Sequence, residues 1–361
     1  MYNLKEKAII LIDCFINLEY KHKRAIINLY EDIGEFFNNP NLALNYLKDN
    51  IGESASNILK LSLNDDFIDT LFKKYSERDL TIVTEESLNY PSRLLNLPFN
   101  PLCLYCKGNV SLLNSDKTFA VVGSRKTAKS ICSVIEDFSS KLVSSNVTVV
   151  TGIASGGDLS AIKGAIGSGK VISVLASGFD YWNLESNRDY INKIIGNGGL
   201  VISEYSPEVS PKSYFYPIRN RIIAGLCDGV LIASGEVNSG ARHTANFALD
   251  YGKEIFAFPY GITEAGGGLC NSLIKDGARL TETYEDIFEV MGYDAEKQAD
   301  IELSEQEKLV YECVSQGVNL VDDIILKTNL KIFEVMPIIT MLEIKGLIVC
   351  SGGNEYVKSA K

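Results

Sequence analysis

Histidine is almost missing from this chain: there are two in 361 residues, His22 and His243. A metal site built on imidazoles, or a base oriented by a neighbouring carboxylate, has little to draw on. Positive charge is also short. The 35 Lys and Arg residues face 46 Asp and Glu, a net charge of −11, so long-range steering of a polyanion is weak. No apolar run approaches the roughly 20 residues that a membrane helix needs. The run Ala8–Ile12 stops at Asp13 and is too short for a secretory signal. Neither a Gly-x-Ser-x-Gly elbow nor a Gly-x-Gly-x-x-Gly fingerprint follows a strand. These absences argue against a membrane protein, a serine hydrolase and an ordinary dinucleotide enzyme. They imply no catalytic residue, no metal and no cofactor.

What cysteine there is lies scattered: Cys14, Cys103, Cys106, Cys132, Cys227, Cys270, Cys313 and Cys350, mostly in apolar segments. That pattern fits reduced, buried thiols and a cytoplasmic location better than a disulfide framework. Cys103 and Cys106 have zinc-like spacing without a second pair, and in a strand residues three apart face opposite sides.

The negative charge is uneven. Residues 1–116 hold 12 basic and 16 acidic side chains, 117–291 hold 16 and 18, and 292–361 hold 7 and 12. The middle is close to neutral. Salt screens charges beyond about 8 Å, so a local basic patch there can act on its own.

Three regions follow from the patterning. Residues 1–88 read as a helical N-terminal domain, with apolar residues three and four apart around Ile26–Phe36 and Leu59–Phe72. A connector with Pro91, Pro98 and Pro101 leads to an apolar strand, Leu102–Tyr105. From there to residue 292 the chain alternates. Strands are expected at Thr118–Val122, Val147–Thr151, Val171–Ala176, Leu200–Ser203, Gly229–Ala233, Glu254–Phe258 and Ala278–Leu280, most of them separated by helices. Continuous β-branched runs with helical spacers indicate an α/β fold, a doubly wound and mostly parallel Rossmann-like sheet over 89–292. After a polar linker near Asp294–Asp300, residues 301–361 read as a small winged-helix-like domain. Its helices are Glu305–Ser315, Leu320–Thr328 and Ile332–Lys345, and a hairpin follows over Leu347–Val357. The last helix has cancelling charges, which favours a protein-contact or packing role over DNA reading.

Ligands of such sheets gather at the carboxyl ends of the strands. Those ends read Gly123-Ser124-Arg125-Lys126, then Gly152 through Ser155-Gly156-Gly157-Asp158, Glu204 through Pro207, and Ser234-Gly235 through Ser239-Gly240, with Arg242 just beyond. Tight turns need glycine anyway, but that does not account for the arginines and the lysine. Asp158 is expected to be a helix N-cap. Residues 214–225, Tyr-Phe-Tyr-Pro-Ile-Arg-Asn-Arg-Ile-Ile-Ala-Gly, place Arg219, Asn220 and Arg221 at the expected head of an apolar helix. Forked guanidinium donors near a helix N-terminus suit phosphate. Alternatively the arginines pair with acids such as Glu204. Tyr214, Phe215 and Tyr216 either stack unpaired bases or plug the sheet edge, and His243 reads as a phosphate contact or a surface residue. Gly164–Lys170 imitates a P-loop, but Val171 replaces the Ser/Thr and the segment precedes a strand, so it reads as a capped helix end.

Taken together, Tyr214–Gly225, Val122–Lys126, Thr151–Asp158, Ser203–Pro207, Ser239-Gly240 with Thr244-Ala245, and Asn271–Ala278 resemble the motifs of the DNA-processing protein A (DprA, or Smf) family, in order, over nearly the whole chain. The resemblance implies a non-enzymatic protein that binds single-stranded DNA without base preference, dimerises, protects incoming strands and loads the recombinase RecA during natural transformation. The implied DNA contacts are Gly123, Ser124, Arg125, Lys126, Ser155, Gly156, Gly157, Arg219, Asn220, Arg221, Ser239, Gly240 and Arg242. Two positions depart from the pattern: Ser155 stands where the family carries Arg, and Asn183-Leu184-Glu185 replaces a basic turn. Two other readings of the rim remain open, a nucleotide-sensing or nucleotide-hydrolysing protein and a scaffold that has lost DNA binding.

Overall fold

The computed structural model describes residues 2–15, 18–184, 188–294 and 303–358, which divide into two compact units, Met1–Asp294 and Ala295–Lys361. The first unit opens with five helices: α1 (Leu4–Asp13), α2 (Tyr20–Ile27), α3 (Asn41–Asn50), α4 (Glu53–Ser62) and α5 (Asp65–Glu77). A capping box starts α1: the Asn3 side chain accepts from the Glu6 N–H at 3.0 Å and Glu6 accepts from the Asn3 N–H at 2.9 Å. The five residues after Lys7 are all buried, so α1 is an inner helix whose Ala8–Ile12 stretch shares a core with the sheet.

Among the described residues, nine strands form one sheet in the order β1-β2-β6-β5-β4-β3-β7-β8-β9. They are β1 (Thr81–Thr84), β2 (Cys103–Gly108), β3 (Thr118–Val122), β4 (Thr148–Thr151), β5 (Val171–Val174), β6 (Leu200–Ser203), β7 (Gly229–Ile232), β8 (Glu254–Ala257) and β9 (Arg279–Leu280). From β6 to β9 all pairings are parallel, while β2 pairs antiparallel with both β1 and β6. The sheet is thus mostly parallel. One strand lies where helix was expected: β1 falls within residues 1–88, and its Thr-Ile-Val-Thr run closes the edge of the sheet through β2.

The helices that follow are α6 (Ser92–Leu95), α7 (Lys129–Ser144), α8 (Gly157–Ala165), α9 (Arg188–Gly196), α10 (Phe215–Leu226), α11 (Ala241–Asp250), α12 (Gly268–Lys275) and α13 (Tyr284–Met291). Strands β3 to β7 are buried along their whole length, as near-continuous apolar runs require. Side chains alternate between two cores. Phe119, Val121 and Val149 meet Ile135 and Ile162 of α7 and α8 on one face, and Ala120, Val122 and Val150 meet Ile222 and Ile223 of α10 on the other. Cys103 and Cys106 likewise belong to opposite faces, and burial pushes both thiols well above the ordinary thiol range. The P-loop lookalike ends α8, and Gly169, at φ +72°, turns the chain into β5.

The chain runs outward from β3 to β6, then returns to lay β7 on the other side of β3. Strand order therefore reverses between β3 and β7, the position where open α/β sheets form a crevice.

The second unit has its own core of Val310, Ile324, Val335, Ile339, Leu342 and Ile348. Helices α14 (Glu305–Ser315), α15 (Val321–Thr328) and α16 (Ile332–Ile344) precede an antiparallel hairpin of β10 (Ile348–Gly352) and β11 (Glu355–Lys358). Glu307 caps α14 with Ser304 and takes an ion pair from Lys345 at 2.7 Å, which holds its carboxyl below the usual range.

Candidate functional site

The crevice is stapled shut at its base. The Ser124 N–H donates both to the Ser234 carbonyl at 3.1 Å and to its hydroxyl at 2.9 Å. Thr127 Oγ1 meets Ser234 Oγ at 2.5 Å and donates to the Ser124 carbonyl at 2.7 Å. These bonds join the loop after β3 to the loop after β7. The loop after β4 is joined as tightly: the Gly157 N–H donates to the Ser124 carbonyl at 3.1 Å, and the Gly123 N–H reaches Asp158 Oδ1 at 3.4 Å. The backbones touch. A Cβ on Gly123 would stand 2.8 Å from the Gly157 Cα, and one on Gly157 would stand 2.8 Å from the Gly123 nitrogen. Glycine is required at both positions by contact alone.

These bonds decide which donors remain for a ligand. The amides of Gly123, Ser124 and Gly157 are spent inside the protein, and that of Lys126 bonds to Ser124 Oγ at 3.1 Å. Among the described residues, the amides of Arg125, Ser155 and Gly156 carry no hydrogen bond. The Arg125 and Lys126 side chains are exposed, as is Ser155. Arg125 lies over the Tyr216 ring, 5.2 Å from its centroid, which fixes the guanidinium above the start of α10 while leaving its edge to solvent.

Arg219 and Arg221 sit elsewhere than a helix head. Helix α10 begins at Phe215, so they lie in its second turn, 5 % and 7 % exposed. Arg219 donates to the Val174 carbonyl and, at 3.0 Å, to Asn220 Oδ1. Its guanidinium and the Asp158 carboxylate fill the space above Gly152, at the end of β4. Arg221 pairs with Glu204, the acid anticipated as its partner. Asn220 donates to the Gly240 carbonyl at 3.2 Å and so ties α10 to the start of α11. Asp158 is not the N-cap of α8, which is Gly156; it occupies the first turn. Burial pushes its carboxyl above the ordinary range, while Arg219 and the amides of Gly123 and Ala154 pull the other way.

Ser239 is half-buried and its hydroxyl makes no hydrogen bond; Gly240 is exposed, and Arg242 donates to the Val237 carbonyl at 2.6 Å. His243 is exposed. Of the aromatic run, Phe215 is buried and stacked on Tyr205 at 4.1 Å, Tyr214 is 55 % exposed, and Tyr216 lies beneath Arg125. The expected departure at Asn183–Glu185 falls among residues 182–187, whose side chains are not described, and Glu185 itself lies outside the described residues. Sequence reasoning missed Thr127 and Ser234 as the staple and Tyr216 as the arginine's platform. Ser124-x-x-Thr127 beside a strand-end serine was the available signal. The described residues include no group of three or more His, Cys, Asp or Glu able to hold a metal ion, and no helix long and apolar enough to cross a membrane.

A family model described as DNA recombination-mediator protein A matches residues 81–292, and one described as DprA winged helix domain matches residues 294–354. The chain belongs to this DprA/Smf family. The DNA processing protein DprA of Streptococcus pneumoniae is 38 % identical over 203 residues, 55 % of this chain and 70 % of the relative. That of Bacillus subtilis is 31 % identical over 216 residues, 60 % of this chain and 72 % of the relative. The X-ray structure of DprA from S. pneumoniae superposes with a TM-score of 0.66 at 26 % identity, covering 81 % of this chain and 99 % of that one. DNA processing protein A from Helicobacter pylori, described for its single-stranded DNA binding mode, gives a TM-score of 0.54 at 26 % identity, covering 59 % and 98 %. The family match begins at β1, so the Thr81–Thr84 strand that the helical pattern concealed belongs to the matched region.

Proposed function

We propose that this protein binds single-stranded DNA, without base preference, along the rim where the loops after β3, β4 and β7 meet. The observation that carries the reading is the exposed Arg125–Lys126 pair, fixed on a stapled loop beside three unspent amides. Guanidinium, ammonium and amide donors on one rigid edge suit successive phosphates. Arg219, Asn220 and Arg221 act behind that edge: they hold Asp158, Gly240 and Glu204, and with them the loops. Arg242, near the same rim, supplies a further cation. Membership in the family supports the remainder of the proposal: a cytoplasmic, non-catalytic homodimer that protects incoming strands and passes them to the recombinase RecA.

A mononucleotide sensor would draw on the same donors: the amides of Gly123, Ser124 and Gly157 are already donated to Asp158, Ser234 and Ser124, so a lone phosphate too would depend on those of Arg125, Ser155 and Gly156. Mobility-shift titrations with single- and double-stranded oligonucleotides at about 50 and 200 mM salt test the proposal. Preferential retention of the single strand, weakening steeply with salt, is expected. No retention at the lower salt refutes it.

A further inference from the structure

Resting on the proposed DNA binding, a second feature concerns where the bases go. A cleft of about 800 Å³ opens between α2 and the start of α10. Tyr20, Phe99, Tyr205, Tyr214, Phe215 and Phe247 all line it. At its floor Glu204 is held by Arg221, and the buried hydroxyl of Ser206 makes no hydrogen bond. An unsatisfied buried hydroxyl is costly unless something reaches it.

Two of the lining rings are held out to solvent. Tyr214 packs edge-on against Phe215 at 4.7 Å and is 55 % exposed. Phe99 is 66 % exposed and meets only the edge of Tyr20, at 5.7 Å, among the ring contacts of the described residues. Its backbone sits at φ +58°, a left-handed conformation that a bulky residue adopts at a cost. Strained residues cluster at ligand clamps, and this one is an exposed aromatic lining a cleft. Lys212 at the same mouth lies over the Tyr214 ring, 5.8 Å from its centroid.

The run Tyr214-Phe215-Tyr216 links the cleft to the rim: its first two rings line the cleft and its last carries Arg125. We infer that the cleft is a base-stacking site: an unpaired base of the strand held at Arg125 enters between Phe99 and Tyr214, with Lys212 taking an adjoining phosphate. Every base has a π-face, so such a site adds affinity without adding sequence preference. A paired base is stacked inside a duplex and does not enter, which accounts for selection of single strands by something other than charge.

The test compares fluorescence anisotropy of the full chain with an oligothymidine of about 20 nucleotides and with an abasic strand of the same length and charge. The thymidine strand is expected to bind about tenfold more tightly, within the range of one or two stacked bases. Tyr214→Ala and Phe99→Gly should each shrink that ratio while leaving the abasic strand's affinity unchanged. Phe99→Gly also removes the backbone strain, so its melting temperature should not fall, which separates lost stacking from lost folding. Equal binding of the two strands overturns the base site while leaving the phosphate reading intact. A ratio that persists in both variants places the bases elsewhere and also overturns it. Failure of both strands to bind overturns the DNA reading and this inference with it.

Discussion

Arg125 and Arg219 carry the same group, and burial assigns them different work. Arg125 is exposed over Tyr216, whereas Arg219 is 5 % exposed with its guanidinium beside the Asp158 carboxylate. Replacing Arg125 by alanine should weaken binding of all single-stranded sequences alike. It should also lower the magnitude of the log–log salt slope by about 0.7, the share of one phosphate contact, while the urea midpoint stays put. Replacing Arg219 by alanine leaves Asp158 buried without its cation. It should cost about 3 kcal/mol or more of folding stability, read in the same urea titration. A variant at Arg219 that folds normally and merely flattens the salt slope would contradict this division. Part of this was legible from the residues: Arg125 was expected at phosphate, and pairing with Glu204 was one of two readings of the Arg-Asn-Arg motif. The burial of Arg219 against Asp158 and the Val174 carbonyl was not, because those partners come from other elements and leave no local signal.

At the scale of elements, the N-terminal helices are attached to the sheet by more than sequence continuity. Arg78, at the end of α5, grips Asp180 with two bonds of 2.7 Å, from Nε and from the second guanidinium nitrogen, and Lys74 pairs with Glu208 at 2.5 Å. The Arg78 hydrogen bonds hold the Asp180 carboxyl below its ordinary value of 3.8. A depressed carboxylate contributes stability that is present above that value and disappears as pH falls through the lowered one. Both side chains are about a third exposed, so the contribution is about 0.5–1 kcal/mol. Urea midpoints taken from about pH 6 down to about pH 2.5 should therefore converge for the wild type and Arg78→Gln at the acid end and separate above about pH 4; parallel curves would remove the pair from the account. The same junction shows how far patterning reaches. The parallel strands were legible to within a residue or two in most cases, because a strand buried on both faces is a continuous apolar run between turns. Strand β1 was not, because four residues without flanking Gly or Pro merge into the helical spacing before them. The staple between Ser124 and Ser234 was hidden for another reason, since its partners lie 110 residues apart.

For the whole molecule, the net charge of −11 coexists with a basic rim because the acids are spread unevenly. Residues 295–361 hold 7 basic and 11 acidic side chains, a net −4. In that unit α16, the helix in the position that reads DNA in many winged helices, exposes Ile332, Phe333, Met341 and Ile344 rather than cations. Every residue assigned to phosphate or base contact lies in the first unit. Truncation after Asp294 should accordingly leave single-strand affinity at about 150 mM salt unchanged within about threefold, since screening confines charge effects to about 8 Å. A tenfold loss in anisotropy titrations would show that the second unit takes part. The hydroxyl staple at the crevice has a consequence for timing. On the proposed reading, lips already bolted together would have no closing motion to make when a strand arrives, so capture would proceed in one step, the entropy of ordering the grip having been spent when the chain folded.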